Sequence, residues 1–326
     1  MTNQQILSSA LGGSALNRLK LQTTKPLGSL KCDNTIECRD RTYAIIPLDE
    51  NTFLTSHHSN SLLHTWDVTN GGKKSSIGRR KDDFISVYDA CLLPSGRIAC
   101  ASIEKGVKIF DLNDEVVVNE IKDLETPTIS GHHTLRCFHY NGCDYILVIS
   151  NDNSLKVVNV TTSGGQTEKT VQDQERIYCV EVLSDGCVVT GSDSNIKLWD
   201  IENNKCIILF EDAHYEGVLS LCLVSHNLLA SGGGPEDCSV KVWDLKTKEL
   251  VFTLQGHEGA VRHISLVGEN TIASASDDKT VRFWDLLTGC EMFCIKEHRG
   301  PVKCVERVGD KIITGSNDET IKIWSF

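Results

Sequence analysis

The sequence predicts an all-β fold made of several copies of one four-stranded antiparallel unit. Short apolar runs alternate with polar residues at a period of two, and the same pattern returns about every forty residues. One copy has a strand around Ile264, a second at 271–274 and a third at 280–284, separated by turns with Gly, Asn and Asp. The preceding copy ends in a fourth strand, which the pattern predicts at residues 249–254.

A large apolar anchor ends the third strand of each copy. The anchors, 40 to 48 residues apart, are Trp66, Phe110, Val158, Trp199, Trp243, Trp284 and Trp324. Four-stranded sheets repeating at this period bury each other's faces when they pack radially, as in a β-propeller. The sequence therefore predicts a seven-bladed β-propeller.

The chain resembles the WD-repeat family. Gly256-His257 and Trp284-Asp285 are the clearest examples of the two dipeptides that carry this resemblance, which covers nearly the whole chain. Blades 1 to 3 depart from the consensus, with Val158-Asn159 in place of Trp-Asp. We expect blades at about 37–80, 83–122, 132–172, 175–211, 214–254, 257–296 and 298–326, the last completed by 27–36. Residues 1–26 would be a partly flexible N-terminal extension.

The last blade lacks an outer strand of its own, because the sequence ends at Phe326, two residues after the anchor Trp324. The resemblance implies that a strand near the N-terminus, here 28–36, closes the ring and removes an open sheet edge. We therefore expect deletion of residues 1–40 to destabilise the fold and deletion of 1–15 to have little effect.

Composition indicates one soluble intracellular domain. The 326 residues contain six prolines and carry a formal net charge of −11, which argues against nucleic acid and membrane partners. The N-terminus does not look like a signal peptide. We expect a cytoplasmic protein. The basic run 73–81 (Lys73, Lys74, Arg79, Arg80, Lys81) is either a nuclear-import signal or a solvated strand and loop.

Fourteen cysteines are scattered along the chain without a Cys-x-x-Cys pair. The closest two, Cys290 and Cys294, have no second pair nearby that would complete a zinc site. Free cysteine packs as a small hydrophobic residue. We therefore expect reduced core thiols, no disulfide framework and no metal.

A His, Ser/Thr, Asp and Trp set recurs in three blades. The sets are His214, Ser231, Asp237 and Trp243; His257, Ser274, Asp278 and Trp284; and His298, Thr314, Asp318 and Trp324. The resemblance implies a buried structural hydrogen-bond network, whereas a catalytic triad would need one exposed nucleophile. Blade 4 keeps Thr190, Asp193 and Trp199 without a matching His, and blades 1 to 3 are incomplete. These four blades should be the softer part of the ring.

Enzyme motifs are missing, so we expect no catalytic residues and no cofactor. The run 232–235 (Gly-Gly-Gly-Pro) precedes a strand rather than a helix and is not followed by Lys-Ser/Thr, which favours a widened turn over a phosphate loop. The pairs His57-His58 and His132-His133 lack further ligands at metal spacing.

The mouth of the central channel is the candidate binding site. The resemblance implies that one residue of each first strand points to the top face: Tyr43, Tyr88, Arg136, Tyr178, Leu219, Arg262 and Lys303. Arg41 and Arg176 precede two of the tyrosines. Tyrosine and arginine are frequent at binding hot spots, so we expect an extended, acidic or phosphorylated partner segment here. The alternative is that these side chains satisfy neighbouring carboxylates, with Asp277 and Glu236 on the rim.

Three functions follow from this pattern. The first is a non-catalytic scaffold, with the propeller monomeric inside a larger protein complex. The second is the substrate-recognition subunit of a ubiquitin ligase acting through a separate subunit. One such adaptor family has Arg two residues after Trp-Asp, where this chain has Thr69, Glu202, Lys246 and Leu287. The third, an enzyme, would need acids or metal ligands clustered at the channel.

Overall fold

A computed structural model shows a closed ring of seven antiparallel sheets. The structure describes residues 30–58, 63–77, 87–102, 106–114, 116–121, 124, 134–161, 165–183, 187–201, 203 and 205–325. Within these ranges all 28 regular elements are β-strands, four to a sheet. The prediction of a seven-bladed, all-β propeller is therefore confirmed.

Each blade follows the chain from its inner to its outer strand. Blade 1 contains β2 (Thr42–Pro47), β3 (Thr52–His57), β4 (Leu63–Asp67) and β5 (Lys73–Ile77). Blade 2 contains β6 (Val87–Leu92), β7 (Ile98–Ser102), β8 (Gly106–Asp111) and β9 (Val116–Ile121). Blade 3 contains β10 (Leu135–Tyr140), β11 (Cys143–Ile149), β12 (Ser154–Asn159) and β13 (Gln166–Gln172). Blade 4 contains β14 (Cys179–Val182), β15 (Val188–Gly191), β16 (Ile196–Asp200) and β17 (Lys205–Phe210).

The remaining three blades follow the same plan. Blade 5 contains β18 (Val218–Leu223), β19 (Leu228–Gly233), β20 (Val240–Asp244) and β21 (Glu249–Leu254). Blade 6 contains β22 (Val261–Gly268), β23 (Thr271–Ser276), β24 (Val281–Asp285) and β25 (Cys290–Ile295). Blade 7 contains β26 (Val302–Val308), β27 (Lys311–Ser316), β28 (Thr320–Ser325) and the N-terminal strand β1 (Lys31–Glu37).

The N-terminal strand closes the ring, as the sequence predicts. β1 pairs antiparallel with β28, with Ile36 opposite Ile321 and Lys31 opposite Ser325. The inner strands of successive blades contact one another around the circle, and β26 of blade 7 contacts β2 of blade 1. The described strand begins at Lys31, three residues later than predicted, and ends one residue later, at Glu37.

Because the strands are antiparallel, the loops between them lie on two opposite faces of the disc. The connections between the first and second strands, and between the third and fourth, lie on one face, which we call the bottom face. The turns between the second and third strands lie on the opposite face, together with the loops that lead to the next blade. We call this the top face, and the mouth of the channel opens on it. Polar residues of these turns and of these loops therefore come together on the top face.

The core consists of apolar clusters between adjacent blades, and the described residues form seven of them. Each anchor packs against the preceding blade: Trp284 lies in the cluster between blades 5 and 6, and Trp324 in the one between blades 6 and 7. Both side chains are fully buried. Burial of this apolar surface is the main force that holds the sheets side by side.

Every outer strand contains one extra residue next to the position opposite the anchor. In blade 6, Trp284 pairs with Glu291 and Phe283 pairs with Phe293, so that Met292 is the extra residue. The extra residues of blades 1 to 7 are Lys74, Val118, Glu168, Ile207, Val251, Met292 and Asp33. A bulge disrupts the ladder of an edge strand and so protects it from pairing with another chain.

Candidate functional site

Blades 5, 6 and 7 each contain the same buried hydrogen-bond network beneath the top face. In blade 6, His257 Nδ1 lies 2.7 Å from Asp278 Oδ2 and His257 Nε2 lies 2.8 Å from Ser274 Oγ. Trp284 Nε1 donates to the same Ser274 oxygen at 2.8 Å. The chain of bonds thus ties the loop entering the blade to its second and third strands.

The same bonds recur in blades 5 and 7. His214 Nδ1 lies 2.9 Å from Asp237, and Trp243 Nε1 donates to Ser231 at 2.7 Å. The corresponding distances in blade 7 are 2.9 Å for His298 and Asp318 and 3.0 Å for Trp324 and Thr314. Ser231, Ser274 and Thr314 are completely buried, so that no substrate reaches their hydroxyl groups. This geometry supports a structural role.

The histidines determine the charge state of their aspartates. Burial opposes ionisation of Asp278, but hydrogen bonds from His257 and Thr280 outweigh it and hold its pKa well below the usual range. The pKa values of Asp237 and Asp318 are lowered in the same way by His214 and His298. The three carboxylates are therefore ionised at neutral pH, as charge-assisted hydrogen bonds require.

Blade 4 fills the histidine position with a buried ion pair. Asp173 lies four residues before Ile177, as His257 lies four before Val261, and it accepts a hydrogen bond from Lys197 Nζ at 2.7 Å. Thr190 still receives the Trp199 indole N–H at 2.8 Å. The sequence pattern identified the missing histidine of this blade and overlooked the aspartate that replaces it.

Blade 1 uses a histidine from its own second strand. Thr55 Oγ1 lies 2.9 Å from His57 Nε2 and accepts the Trp66 indole N–H at 2.8 Å. Burial, and next the charge of His64, lower the pKa of His57 to about 3, so that the ring is neutral at physiological pH. His57 is therefore part of a hydrogen-bond network inside the blade.

A cationic cluster lies at the mouth on blades 6, 7 and 1. Arg262 Nε and Lys303 Nζ both donate to Asp277, at 2.7 and 2.5 Å. Burial, opposed by Asp277, lowers the pKa of Lys303, and the charges of Arg262 and the exposed Arg41 lower it further. Two cations thus share the carboxylate of Asp277, and Arg41 is close enough for its charge to act on Lys303.

An aromatic cluster adjoins the cations on blades 1 and 2. The ring centroids of Tyr43 and Tyr88 are 4.9 Å apart, and His58 lies 5.6 Å from Tyr43 and 6.1 Å from Tyr88. Tyr43 is only 5% exposed, whereas Tyr88 and His58 are half-buried. Arg41 forms a hydrogen bond with the Tyr43 side chain, which connects the two clusters. Sequence analysis did not identify His58 as a part of this site.

Arg136 lies inside the channel wall rather than at an open position. Its side chain is mostly buried, with Nε 3.5 Å from Glu181 Oε2, and its charge also acts on the buried Asp89. Asp89 accepts the Leu135 backbone N–H at 2.9 Å, and burial raises its pKa to about 6. Arg136 therefore links blades 2, 3 and 4, in agreement with the alternative that these cations satisfy neighbouring carboxylates.

The other half of the mouth is aromatic, apolar and acidic. The Tyr178 hydroxyl donates to Asp193 at 3.1 Å, and the Arg176 guanidinium lies 5.6 Å from the Tyr178 ring centroid. Leu219 is half-buried, and the neighbouring loop exposes Tyr215 at 69%. Tyr215 was not among the predicted site residues. The exposed acids near these residues are Asp193, Glu211, Asp212, Glu216 and Glu236.

The remaining candidate groups have these positions. Lys73 and Lys74 lie on β5, while Arg79, Arg80, Lys81, His132 and His133 are outside the described residues, as are residues 1–26. All fourteen cysteines are free thiols, and burial raises the pKa of Cys38 to about 12. The described residues bring no three His, Cys, Asp or Glu side chains together as a metal site. They also contain no helix long and apolar enough to cross a membrane.

The seven blades, their buried networks and the polar mouth define a repeat-built propeller. The model of the WD domain, G-beta repeat, matches residues 165–200, 204–244, 248–285 and 289–325. These residues are therefore WD repeats, which confirms the resemblance inferred from the dipeptides. Propellers of this family serve as protein-interaction scaffolds.

Curated relatives match over part of their length. The WD repeat-containing protein WDS homolog of Arabidopsis thaliana is 28% identical over 238 residues, 71% of this chain and 44% of that protein. The protein SUPPRESSOR OF PHYA-105 1 of the same plant is 29% identical over 56% of this chain and 18% of its own length. The E3 ubiquitin-protein ligase COP1, also from Arabidopsis thaliana, is 27% identical over 55% of this chain and 27% of its length. The chain thus spans less than half of each of these relatives.

Proposed function

We propose that this chain is a non-catalytic scaffold that binds an extended segment of a partner protein across the mouth of its top face. The observation that carries the proposal is the grouping of Arg262 and Lys303 on the carboxylate of Asp277, with the exposed Arg41 close enough for its charge to act on Lys303. Carboxylate or phosphate groups of a partner would bind to these three cations, although the whole chain is acidic.

The aromatic cluster supplies the second part of the proposed site. Rings of Tyr88 and His58 are accessible beside Arg41, and aromatic side chains contribute large contact area at low entropic cost. The opposite half, with Tyr215 and exposed acids, would favour apolar and basic side chains of the same segment. The segment we propose is therefore acidic or phosphorylated at one end and apolar or basic at the other.

Charge reversal at the mouth tests this proposal. Arg41→Glu and Arg262→Glu together should abolish capture of the main partner, measured by affinity purification and quantitative mass spectrometry. Lys246→Glu is the matched control, because Lys246 is an exposed cation in a bottom-face turn. Equal recovery of every partner by the two variants would overturn the proposal. Arg136→Glu is unsuitable, since it would place a third carboxylate beside Glu181 and Asp89.

A second candidate is the substrate-recognition subunit of a ubiquitin ligase that acts through a separate subunit. The similarity to a protein named E3 ubiquitin-protein ligase COP1 favours it. The test is whether the purified complex transfers ubiquitin to a co-purified partner, and whether the Arg41→Glu, Arg262→Glu variant loses this transfer while Lys246→Glu retains it. If the purified complex had no ligase activity, the ligase candidate would be rejected and the scaffold function would be the remaining proposal.

A further inference from the structure

The outer circumference of blades 5 and 6 is apolar. Four side chains there are exposed: Leu250 (46%), Val251 (42%), Leu287 (72%) and Met292 (41%). Val251 and Met292 are the extra residues of the two outer-strand bulges. At the same position blades 1, 3 and 7 carry the charged residues Lys74, Glu168 and Asp33. We call the four apolar residues the rim patch.

Blades 5 and 6 also contact each other near the rim patch. Phe252, next to Val251, packs against Gly289, which lies two residues after Leu287. A side chain at position 289 would collide with the Phe252 ring, since a Cβ atom there would lie 2.5 Å from Cδ1. The turn with Leu287 can therefore approach the outer strand of blade 5 closely, and exposed apolar side chains lie on both sides of this contact. Exposed apolar surface shared by two elements is typical of a binding site.

The N-terminal segment of the same chain has matching chemistry. Its apolar side chains are spread over residues 6–21: Ile6, Leu7, Leu11, Leu16, Leu19 and Leu21. It contains Arg18, Lys20 and Lys25 and no acid, because all 44 Asp and Glu residues lie at or after Asp33. The propeller is thus strongly acidic, and the exposed Glu249 adjoins the rim patch, whereas Glu291 is paired with Arg282. Opposite charges favour their association.

The segment also joins the propeller at a suitable point. It enters the ring at Lys31, which pairs with Ser325 at the bottom end of blade 7, next to blade 6. Leu287 lies on the same face, in the turn between the third and fourth strands of blade 6. The nine residues 22–30 reach about 30 Å when extended, and neighbouring sheets pack about 10 Å apart. This is far enough to reach both blades.

We propose that residues 6–21 bind the rim patch of their own propeller reversibly. The leucines cover Val251, Leu287 and Met292, while the basic residues Arg18 and Lys20 lie near Glu249. The contact covers a surface that would otherwise be open to association with other chains. Because it is superficial, it is compatible with a thermal transition that hardly changes when residues 1–15 are removed. It is independent of the top-face site.

Photo-crosslinking of the full chain tests the proposal. Asn17, a polar residue within the segment, is replaced by p-benzoylphenylalanine, and the crosslinked peptides are mapped by mass spectrometry after irradiation. We expect crosslinks to concentrate in residues 246–256 and 285–296. The double variant Val251→Asp, Met292→Asp should reduce their yield by about five-fold or more, because it removes apolar area from both blades.

Val118→Asp is the matched control, since Val118 is the extra residue of blade 2 and is 38% exposed. It should leave the crosslinks unchanged, and circular dichroism should show that both variants fold. Crosslinks spread evenly over the surface, or an equal loss with Val118→Asp, would overturn the proposal. Mixing isotopically light and heavy chains separates the remaining case: crosslinks between two chains would show that a second copy occupies the patch, and would also overturn it.

Discussion

Blades 5 to 7 and blades 1 to 4 have the same arrangement of strands and differ in the polar side chains that connect those strands. In the first group, one serine or threonine oxygen accepts from the anchor indole and lies within hydrogen-bond distance of a histidine, as Ser274 does in blade 6. In blade 4 the ion pair of Asp173 and Lys197 fills the histidine position. In blade 1 the histidine is His57, which lies on the second strand and not in the entering loop. The family model matches residues 165–325, where the copies are best preserved.

This difference separates the residues that specify the fold, which are apolar, from the polar residues that add stability to individual blades. Apolar alternation and an apolar anchor suffice to form a blade, and the anchor need not be large, since blade 3 forms with Val158 in place of tryptophan. The histidine network adds bonds between the entering loop and the sheet. In blades 2 to 4, charges on the inner strands connect neighbouring blades, as Arg136 connects Asp89 with Glu181.

The largest effect is expected where the two groups of blades meet at the closing strand. Deletion of residues 1–40 removes β1 from β28 and exposes the edge of blade 7 beside blade 1. We expect a loss of more than about 4 kcal/mol of unfolding free energy, and a weak or absent cooperative transition by calorimetry. Deletion of 1–15 is the control and should leave the transition nearly unchanged. A full-strength transition after the longer deletion would contradict the closure account.

The next effect concerns the channel charges of blades 2 to 4. Arg136→Glu would bury a third carboxylate beside Glu181 and Asp89 and should lower the unfolding free energy by about 3–5 kcal/mol. Arg41→Glu makes the same charge change at an exposed position and should cost less than about 0.5 kcal/mol. Chemical denaturation of the two variants measures the difference. Equal losses would show that Arg136 does not hold these blades together.

A smaller effect compares the networks directly. Ser274→Ala leaves both His257 Nε2 and the Trp284 indole N–H without their partner in blade 6 and should cost about 2–4 kcal/mol. Thr190→Val in blade 4 removes the partner of the Trp199 indole N–H and should cost about 1–2 kcal/mol. Equilibrium unfolding decides between these values. If the two losses were the same, the histidine would contribute nothing measurable.

The last effect is a pH dependence located in blade 1. The pKa of His57 is lowered to about 3 in the folded state, so that between pH 6.5 and 3 the unfolded chain binds a proton that the folded chain does not. Stability should therefore fall as pH decreases through this range, by about 2 kcal/mol from this residue between pH 7 and 5. The difference between the wild type and His57→Gln over this pH range measures it. Parallel pH profiles of the two proteins would exclude this role of His57.

Much of the fold could be predicted from the sequence, because it depends on local patterns. The repeat period, the anchors and the fourth strand at 249–254 are visible in the order of residues, and β21 has these same bounds. The site was less predictable, because it depends on which side chains meet across blades. Nothing in the sequence alone shows that Arg262 and Lys303 share Asp277, or that Arg136 lies against Glu181. A charged residue inside an apolar inner strand, as at Asp89, was the one available signal.

Native-state hydrogen exchange, resolved by blade, shows whether the histidine network makes blades 5 to 7 the more stable part of the ring. Strand amides of blades 5 to 7 should exchange only through global unfolding. Those of blades 1 to 4 should exchange through partial openings that cost at least about 2 kcal/mol less. Uniform protection of all seven blades, or stronger protection of blades 1 to 4, would show that the network does not have this effect.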